Sequence, residues 1–176
     1  MSSPLQVVFE PLHPDVVVPA RATLGAAGYD VRAYVRGRTI SAYQGLEPIE
    51  LRASGDSLVI PPGVRAAIPL GFRATMPHGL EAQLRLRSSI AFRRGLIMPN
   101  APATIDADYP DEWLLIVTNT LSEPVTLEHQ ERIGQIVFSR VETPEFQAGS
   151  VSISTDRSGG VGSTGRFAVE AAPRAE

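Results

Sequence analysis

Short runs of β-branched and aliphatic residues recur along most of the chain, and turn signals separate them. A strand needs only about four to eight such residues, so this spacing predicts many short strands in an all-β sandwich or barrel. Fifteen prolines and fifteen glycines suit turns between strands better than helices. The runs are QVVF, DVVV, YDVRAYV, SLVI, VRAAIPL, EAQLRLR, LLIVTN, PVTL and IGQIVFSRV, and the turn signals include PPG, PHG, ASGD and SEP.

One segment, SSIAFRRGL, has the pattern of a helix instead. Ser88 or Ser89 is a suitable N-cap, because a hydroxyl accepts a hydrogen bond from the free backbone N–H groups of the first turn. Gly95 is a suitable terminator, because glycine adopts the left-handed conformation at low cost. The chain is therefore predicted to be mainly β with one short helix.

The strand pattern weakens from residue 143 onward, so we predict a β-barrel core of residues 1–142 and a C-terminal arm of residues 143–176. Residues 36–57 are polar and rich in turn signals, which predicts a surface hairpin or loop inserted into the core. Residues 150–165 are rich in serine and glycine. Such a tail is either disordered or an arm that docks elsewhere.

Lysine and cysteine are both missing, and all sixteen basic residues are arginine. The missing lysine excludes Schiff-base chemistry and a P-loop lysine, although a codon bias toward arginine explains it as well. Any anion site here must use arginine, hydroxyls and backbone N–H groups. The missing cysteines exclude disulfides and thiolate metal sites, and they suit a reducing compartment.

Charge and hydropathy argue against two classes of partner. The net charge of −3 argues against a nucleic-acid binder, which usually carries a basic face. No apolar stretch approaches the roughly 20 residues that cross a membrane, and the start MSSPLQVVFEPLHP lacks the features of a signal peptide. We expect a cytoplasmic protein that binds neither nucleic acid nor membrane.

An acidic stretch, NAPATIDADYPDEWLLIVTN, places Asp106, Asp108, Asp111 and Glu112 around Tyr109, just before an apolar run. Three interpretations remain open: solvated turn charges, a metal cluster, or a general base with helpers. If Asp106 and Asp108 share one face of a strand, their repulsion favours protonation of one of them, which suits a base. The three histidines lack the spacing of metal ligands, so they are predicted to be surface residues.

A second stretch, RSGGVGSTG, runs from Arg157 and has the composition of a phosphate-cradling loop. Its glycines let the backbone approach a ligand and aim N–H groups at it, and its hydroxyls add donors. A flexible linker has the same composition.

Three further positions each admit a ligand-binding and a structural interpretation. Arg87, with the serines of the predicted helix start, forms either an anion site or a solvated surface helix. Gln135, inside the run RIGQIVF, is either a core hydrogen-bonding residue or a ligand contact. Asp30, in GAAGYDVRA, follows small residues and fits either a site or simple turn chemistry.

The order of these stretches is more specific than any one of them. AGYDVRA, RSSIAFRRG, NAPATIDADY, RIGQIVF and GGVGSTG resemble, in sequence order, the five motifs of the trimeric dUTPase family, over residues 19–167. The resemblance implies an all-β, jelly-roll-like (β-clip) subunit and a homotrimer with an exchanging C-terminal arm and active sites at subunit boundaries. It implies hydrolysis of dUTP to dUMP and pyrophosphate, with Mg²⁺ bound to the triphosphate.

The resemblance also assigns roles to matching positions. Asp106 would activate the attacking water, and Tyr109 would pack under the deoxyribose and exclude a ribose 2′-hydroxyl. The uracil edge would contact Asn100 and the backbone around Thr104 and Ile105. Asp30 would reach Mg²⁺ through water. The remaining acids, Asp111 and Glu112, are assigned to the solvated turn. The phosphates would be bound by Arg87, Ser88, Ser89 and Gln135 of the core, and by Arg157, Gly162, Ser163 and Thr164 of the arm.

Four positions depart from the family pattern. Ser89 and Ala103 replace glycines, and Pro110-Asp111 replaces Arg-Gly after the tyrosine. Val161 replaces the phenylalanine that stacks on uracil, in a loop one residue shorter. Either the base is covered less well or Phe167 takes the place of the missing ring.

Two alternatives share this scaffold. A dCTP deaminase needs a glutamate three residues before the asparagine that ends the strand, and this chain has Ile116 there. A non-catalytic nucleotide-binding regulator would tolerate the loss of Asp106, which is present.

Overall fold

The computed structural model describes residues 5–152, and in that part of the chain it is nearly all β. Every strand pair found there is antiparallel. The strands are β1 Val8–Pro11, β2 Ala20–Arg21, β3 Tyr29–Arg32, β4 Thr39–Gln44, β5 Glu47–Arg52, β6 Ser57–Ile60, β7 Val64–Pro69, β8 Phe72–Thr75, β9 Leu80–Leu86, β10 Leu96–Ile97, β11 Ala103–Ile105, β12 Leu114–Asn119, β13 Val125–Glu128 and β14 Arg132–Arg140, with helix α1 at Ser88–Arg94.

Two five-stranded sheets form the body of the protein in a jelly-roll-like arrangement. Their strand orders are β10-β12-β7-β4-β5 and β11-β9-β14-β3-β2, and two-stranded ribbons β1-β8 and β13-β6 complete the fold. Apolar side chains alternate along the strands, as in Leu80–Leu86, where every second residue up to Leu84 is buried. This alternation places one face of each sheet on the core and turns the other face outward. The all-β, jelly-roll-like prediction is confirmed.

The predicted strand DVVV is wrong. Val16 donates its backbone N–H to the carbonyl of His13 at 3.3 Å, so the run begins in a turn. Val17 and Val18 are exposed and belong to no strand. Prolines at positions 14 and 19 bracket the run, and proline has no N–H to donate to a neighbouring strand.

Helix α1 confirms the predicted helix, but its predicted N-cap is wrong. Arg87 is the N-cap residue and makes no side-chain capping bond. The backbone N–H groups of Ile90 and Ala91 both donate to the Arg87 carbonyl, so Ser88 and Ser89 already lie within the first turn. The helix ends at Gly95, whose φ of 59° lies in the left-handed region, as predicted.

Residues 36–57 contain the hairpin of β4 and β5. A two-residue connection turns the chain between Gln44 and Glu47, and Gly45 adopts a φ of 60° there. Ile40 and Leu51 are buried in the core, and β4 also pairs with β7. The hairpin is therefore part of a main sheet.

Asn119, at the end of β12, is a buried polar residue whose amide is fully used. Its Nδ2 donates to the carbonyls of Ile60 at 3.0 Å and Glu123 at 2.8 Å. Its Oδ1 accepts the backbone N–H of Leu121 at 3.0 Å. The side chain thereby joins β12 to the connection before β13.

Asn119→Asp is expected to lower the melting temperature by about 5 to 10 °C, because a carboxylate has no donor for two buried carbonyls. Thermal unfolding followed by circular dichroism measures this. Gln44→Glu is the matched control, since it makes the same change at an exposed position on β4 and should shift the midpoint little. An equal shift in both variants would show that added charge, and not the lost hydrogen bonds, is responsible.

The compact unit that contains these strands ends at Glu142. Residues 143–152 contain no helix or strand. In the part of the chain that the structure describes, no helix is both long and apolar enough to span a membrane.

Candidate active site

The acids of the acidic stretch begin directly after β11, a short strand with two buried residues. Ala103 and Ile105 of β11 are buried, whereas Thr104 between them is exposed. Asp106 follows directly and is exposed, and its carbonyl accepts the backbone N–H of Tyr109 at 3.2 Å. The base candidate therefore stands where a rigid strand passes into a turn.

The prediction that Asp106 and Asp108 share one face of a strand is wrong. The strand ends at Ile105, and Asp108 lies in the turn that follows. The alternation of side chains along a strand does not apply in a turn.

Tyr109 lies half-buried and packs against the hydrophobic core. It also lines two surface grooves, one shared with Arg73 and Pro110 and the other with Arg38 and Glu112. Its ring is thus supported from below while part of it faces solvent, which is the arrangement required of a platform for a ligand.

The prediction that Glu112 is a solvated turn residue is wrong. Its Oε1 accepts the backbone N–H of Gly71 at 2.9 Å, and its Oε2 accepts a guanidinium N–H of Arg38 at 2.6 Å. The acids of this stretch do not form a group able to hold a metal ion among the residues that the structure describes. The spacing of Glu112 from Tyr109 was visible in the sequence, but the contact with Arg38 depends on the fold.

A second group of predicted residues gathers around β3 and β14, in the same five-stranded sheet as β11. Asp30 on β3 faces Gln135 on β14 in register, and Arg87 Nε lies 3.7 Å from Asp30 Oδ1. Arg132, which sequence reasoning missed, donates to Asp30 Oδ2 at 3.0 Å. The group brings together a carboxylate, an amide and two guanidinium groups. The guanidinium and amide groups are suited to binding an anion, and the carboxylate is suited to binding a cation that accompanies it.

Gly28 shows how closely the chain packs beside Gln135. A Cβ at position 28 would lie 2.2 Å from Gln135 Oε1. Only glycine leaves room for the amide here, so Gly28 has a packing reason. Gln135 itself is half-buried beside Asp30.

The remaining described candidates extend these two groups. Ser88 and Ser89 lie in the first turn of α1, directly after Arg87. Asn100 is exposed in the turn before β11. The five candidates of the arm, and Phe167, lie outside the described residues; those five are Arg157, Val161, Gly162, Ser163 and Thr164.

Within one chain, the acidic turn with Asp106 lies far from the group formed by Asp30, Arg87 and Gln135. Ile105 pairs with Ala82 on β9, whereas Gln135 pairs with Arg85 on the same strand and with Asp30 beyond it. With about 3.3 Å per residue and 4.8 Å per strand, the Cα atoms of Asp106 and the Asp30–Gln135 pair are about 15 to 20 Å apart. One chain therefore does not bring the base candidate next to the anion-binding group.

The prediction that all three histidines are surface residues is wrong. His78 is exposed, but the His129 side chain is only 2% exposed and lies against the Tyr34 ring. The Tyr34 hydroxyl, donating at 2.8 Å, and the His129 ring hold the pKa of Asp15 below its ordinary value. Burial raises the pKa of Tyr34. Tyr34 also stacks on His13, which lies 3.1 Å from Arg38, so this cluster adjoins the ion pair of Arg38 and Glu112.

Comparison with known proteins identifies the family of this chain. The family model described as dUTPase matches residues 49–165, which include the acidic turn, Arg87 and Gln135. The chain belongs to the dUTPase family. It is 36% identical to the deoxyuridine 5'-triphosphate nucleotidohydrolase of Fusobacterium nucleatum over 86% of its own length and 91% of that protein. The corresponding protein of Bdellovibrio bacteriovorus is 39% identical over 89% of this chain and 92% of its own.

Solved dUTPase structures share the fold. The enzyme from Streptococcus mutans superposes with a TM-score of 0.62 at 24% identity and covers 79% of this chain and 99% of its own. A variant of the Staphylococcus bacteriophage 80alpha dUTPase, solved with dUpNHpp, superposes with a TM-score of 0.68 at 20% identity. It covers 91% of this chain and 98% of its own. The resemblance found in the sequence motifs is thus confirmed at the level of family and fold.

Proposed function

We propose that this protein hydrolyses dUTP to dUMP and pyrophosphate, which keeps uracil out of DNA and supplies dUMP for thymidylate synthesis. The observation that carries the proposal is the position of Asp106, an exposed carboxylate at the end of β11 beside the half-buried Tyr109. Membership of the dUTPase family supports the same reaction. Neither the deaminase nor the regulator gains support from these comparisons.

Asp106 is the general base of the proposed mechanism. Its carboxylate accepts a proton from a water molecule as the water oxygen attacks the α-phosphorus. The bond between the α- and β-phosphates breaks, and pyrophosphate leaves with the electron pair of that bond. A base within hydrogen-bond reach of the water is worth about 10² to 10⁴ in rate.

The triphosphate is held by arginine and neutral donors, as a chain without lysine requires. Arg87 supplies a guanidinium, and Ser88, Ser89 and Gln135 supply hydrogen bonds. In the arm, Arg157, Gly162, Ser163 and Thr164 cover the outer phosphates, in a segment that the family match includes up to residue 165. Donors fixed in advance stabilise the charge that develops on the leaving group.

Magnesium fits the residues available, provided that the substrate supplies most of its ligands. Asp30 offers one partly exposed carboxylate beside two guanidinium groups, and Mg²⁺ is commonly held by one or two carboxylates together with substrate phosphates. When bound, the ion neutralises phosphate charge. The Asp30 carboxylate would hold the ion through water.

A homotrimer completes the site in this proposal. The separation of about 15 to 20 Å between the base candidate and the anion-binding group of one chain favours a site in which neighbouring chains contribute one group each. Asn100, Thr104 and Ile105 lie on the same segment as Asp106, so they contact uracil from the chain that supplies the general base.

We place the reaction in the cytoplasm, which suits a chain without cysteines.

Pyrophosphate release from dUTP, dCTP, dTTP and UTP tests the proposed function. We expect dUTP to be hydrolysed with the highest kcat/KM. Ammonia release from dCTP would identify a deaminase, and binding of dUTP without hydrolysis would identify a regulator. Either result would overturn the proposal.

Tyr109→Ala is expected to lower the ratio of kcat/KM for dUTP over UTP by about tenfold, because removal of the ring opens space for a 2′-hydroxyl. Steady-state kinetics with both nucleotides measure the ratio. Tyr109→Phe keeps the ring and should keep the ratio. An unchanged ratio in the alanine variant would mean that Tyr109 serves only to pack against the core.

A further inference from the structure

The segment of residues 106–113, which joins β11 to β12, depends on contacts with other parts of the fold for its position. Near its start, the Ala107 carbonyl accepts the backbone N–H of Met76 at 3.3 Å. At its end, Trp113 exchanges hydrogen bonds with the backbone of Phe72 and Leu70, both at 3.0 Å. Asp106 and Tyr109 both lie on this segment, so whatever fixes it also fixes the proposed base and sugar platform.

Glu112 makes two further contacts between these ends. One carboxylate oxygen accepts the Gly71 N–H, and the other accepts from Arg38. Gly71 has a φ of 79°, and its carbonyl accepts the backbone N–H of Leu12 at 2.9 Å. Glu112 is thus tied to a point where several segments of the core meet.

The ion pair of Arg38 and Glu112 is shielded from solvent more than most of its kind. The side chains are 29% and 17% exposed, so the pair retains more of its strength than a surface pair does. Arg38 lies at the base of the β4–β5 hairpin, where its backbone N–H donates to Val35 and its carbonyl accepts from Ala53. A second guanidinium nitrogen of Arg38 lies 3.1 Å from His13 Nε2.

Arg38, Glu112 and Tyr109 line the same surface groove. Tyr109 precedes Glu112 by three residues, and none of the residues between them belongs to a helix or strand. Only Pro110 and Asp111 lie between them, so the contacts of Glu112 limit the positions that the Tyr109 backbone can take.

We propose that Arg38 and Glu112 are positioning residues for this reaction: the hairpin, through this ion pair, holds the Tyr109 ring at the distance that excludes a ribose. This inference rests on the proposed function. It gives residues 36–57 a role in substrate discrimination, although none of them is proposed to touch substrate.

The test compares Arg38→Met and Glu112→Gln with wild type. Both variants are expected to lower the dUTP/UTP ratio of kcat/KM about tenfold, mainly through a higher kcat/KM for UTP, because a displaced Tyr109 ring no longer excludes the 2′-hydroxyl. The double variant should lose no more than either single one, because the residues act as a unit. Arg38→Lys keeps a positive charge beside Glu112 and should recover part of the ratio.

Arg36→Met is the matched control. Arg36 lies two residues away and also pairs with a carboxylate, that of Asp56, at 2.5 and 2.9 Å, but it makes no contact with residues 106–113 among the hydrogen bonds and ion pairs described. Its ratio should stay within about twofold of wild type. The ratio compares two substrates on one preparation, so a loss of folded protein cancels and does not change it.

The outcomes separate the two proposals. A wild-type protein that releases no pyrophosphate from dUTP refutes the proposed function. A wild-type protein that hydrolyses dUTP, with Arg38→Met and Glu112→Gln both keeping the wild-type ratio, leaves the proposed function standing and refutes the positioning role. A fall in the ratio that Arg36→Met matches also refutes it.

Discussion

Asp106→Asn is expected to lower kcat for dUTP hydrolysis by about 10² to 10⁴-fold, because the amide keeps the shape of the side chain but cannot accept the proton of the attacking water. The affinity for dUTP should change little, since the base acts on water and is not proposed to bind the nucleotide. Asp106 is exposed at the end of β11, so the substitution should not disturb the core. Single-turnover kinetics and equilibrium binding of dUTP measure the two effects separately.

Asp108→Asn is the matched control for this variant. Asp108 lies in the same turn, is also exposed, and loses the same charge. Its kcat should stay within a few-fold of wild type. If Asp106→Asn retains more than about a tenth of kcat, or if both variants lose equal activity, Asp106 is not the base.

Mixed oligomers should recover activity that neither parent has. Arg87→Ala removes a phosphate contact and should reduce activity about 10² to 10³-fold by itself. The Arg87→Ala chain is co-expressed with the Asp106→Asn chain, and each chain carries a different affinity tag. Mixed trimers should then form in which some sites combine an intact Asp106 with an intact Arg87. In a trimer that contains both variants, one of the three sites receives both intact residues, so about a third of the wild-type activity is expected after purification of the mixed species.

The control for the mixture is Asp106→Asn co-expressed with itself under both tags, which should stay inactive. Tandem purification isolates the mixed species, and pyrophosphate release measures its activity. Activity no higher than the mean of the two parents would show that each site is made by one chain, and that the separation within the chain is closed in another way.

Local sequence patterns were sufficient for most of the fold because strands and turns carry their own signals. The run LLIVTN became β12 with alternating burial, and Gly95 ended α1 as its left-handed conformation allows. The run DVVV carried the same signal but did not become a strand. A β-branched run forms a strand only where a partner with free backbone groups lies beside it, and the sequence does not display that partner.

For the candidate site, the sequence supplied the proposed residues, and the family match over residues 49–165 covers four of the five motifs, all but the one that contains Asp30. What it misjudged were relations between residues. Asp106 and Asp108 were placed on one strand face, but the strand ends one residue before Asp106. Glu112 was assigned to solvent because its partner, Arg38, lies 74 residues away.

The sequence by itself determined the fold class, the family and the residue types of a lysine-free anion site, because periodicity, turn residues and ordered motifs are written along the chain. Only the tertiary structure decided that Asp30, Arg87 and Gln135 meet on one sheet while Asp106 lies about 15 to 20 Å away along it. It alone brought Arg38 to Glu112. Strand register and ion pairing join residues distant in sequence, and they depend on which strands lie side by side.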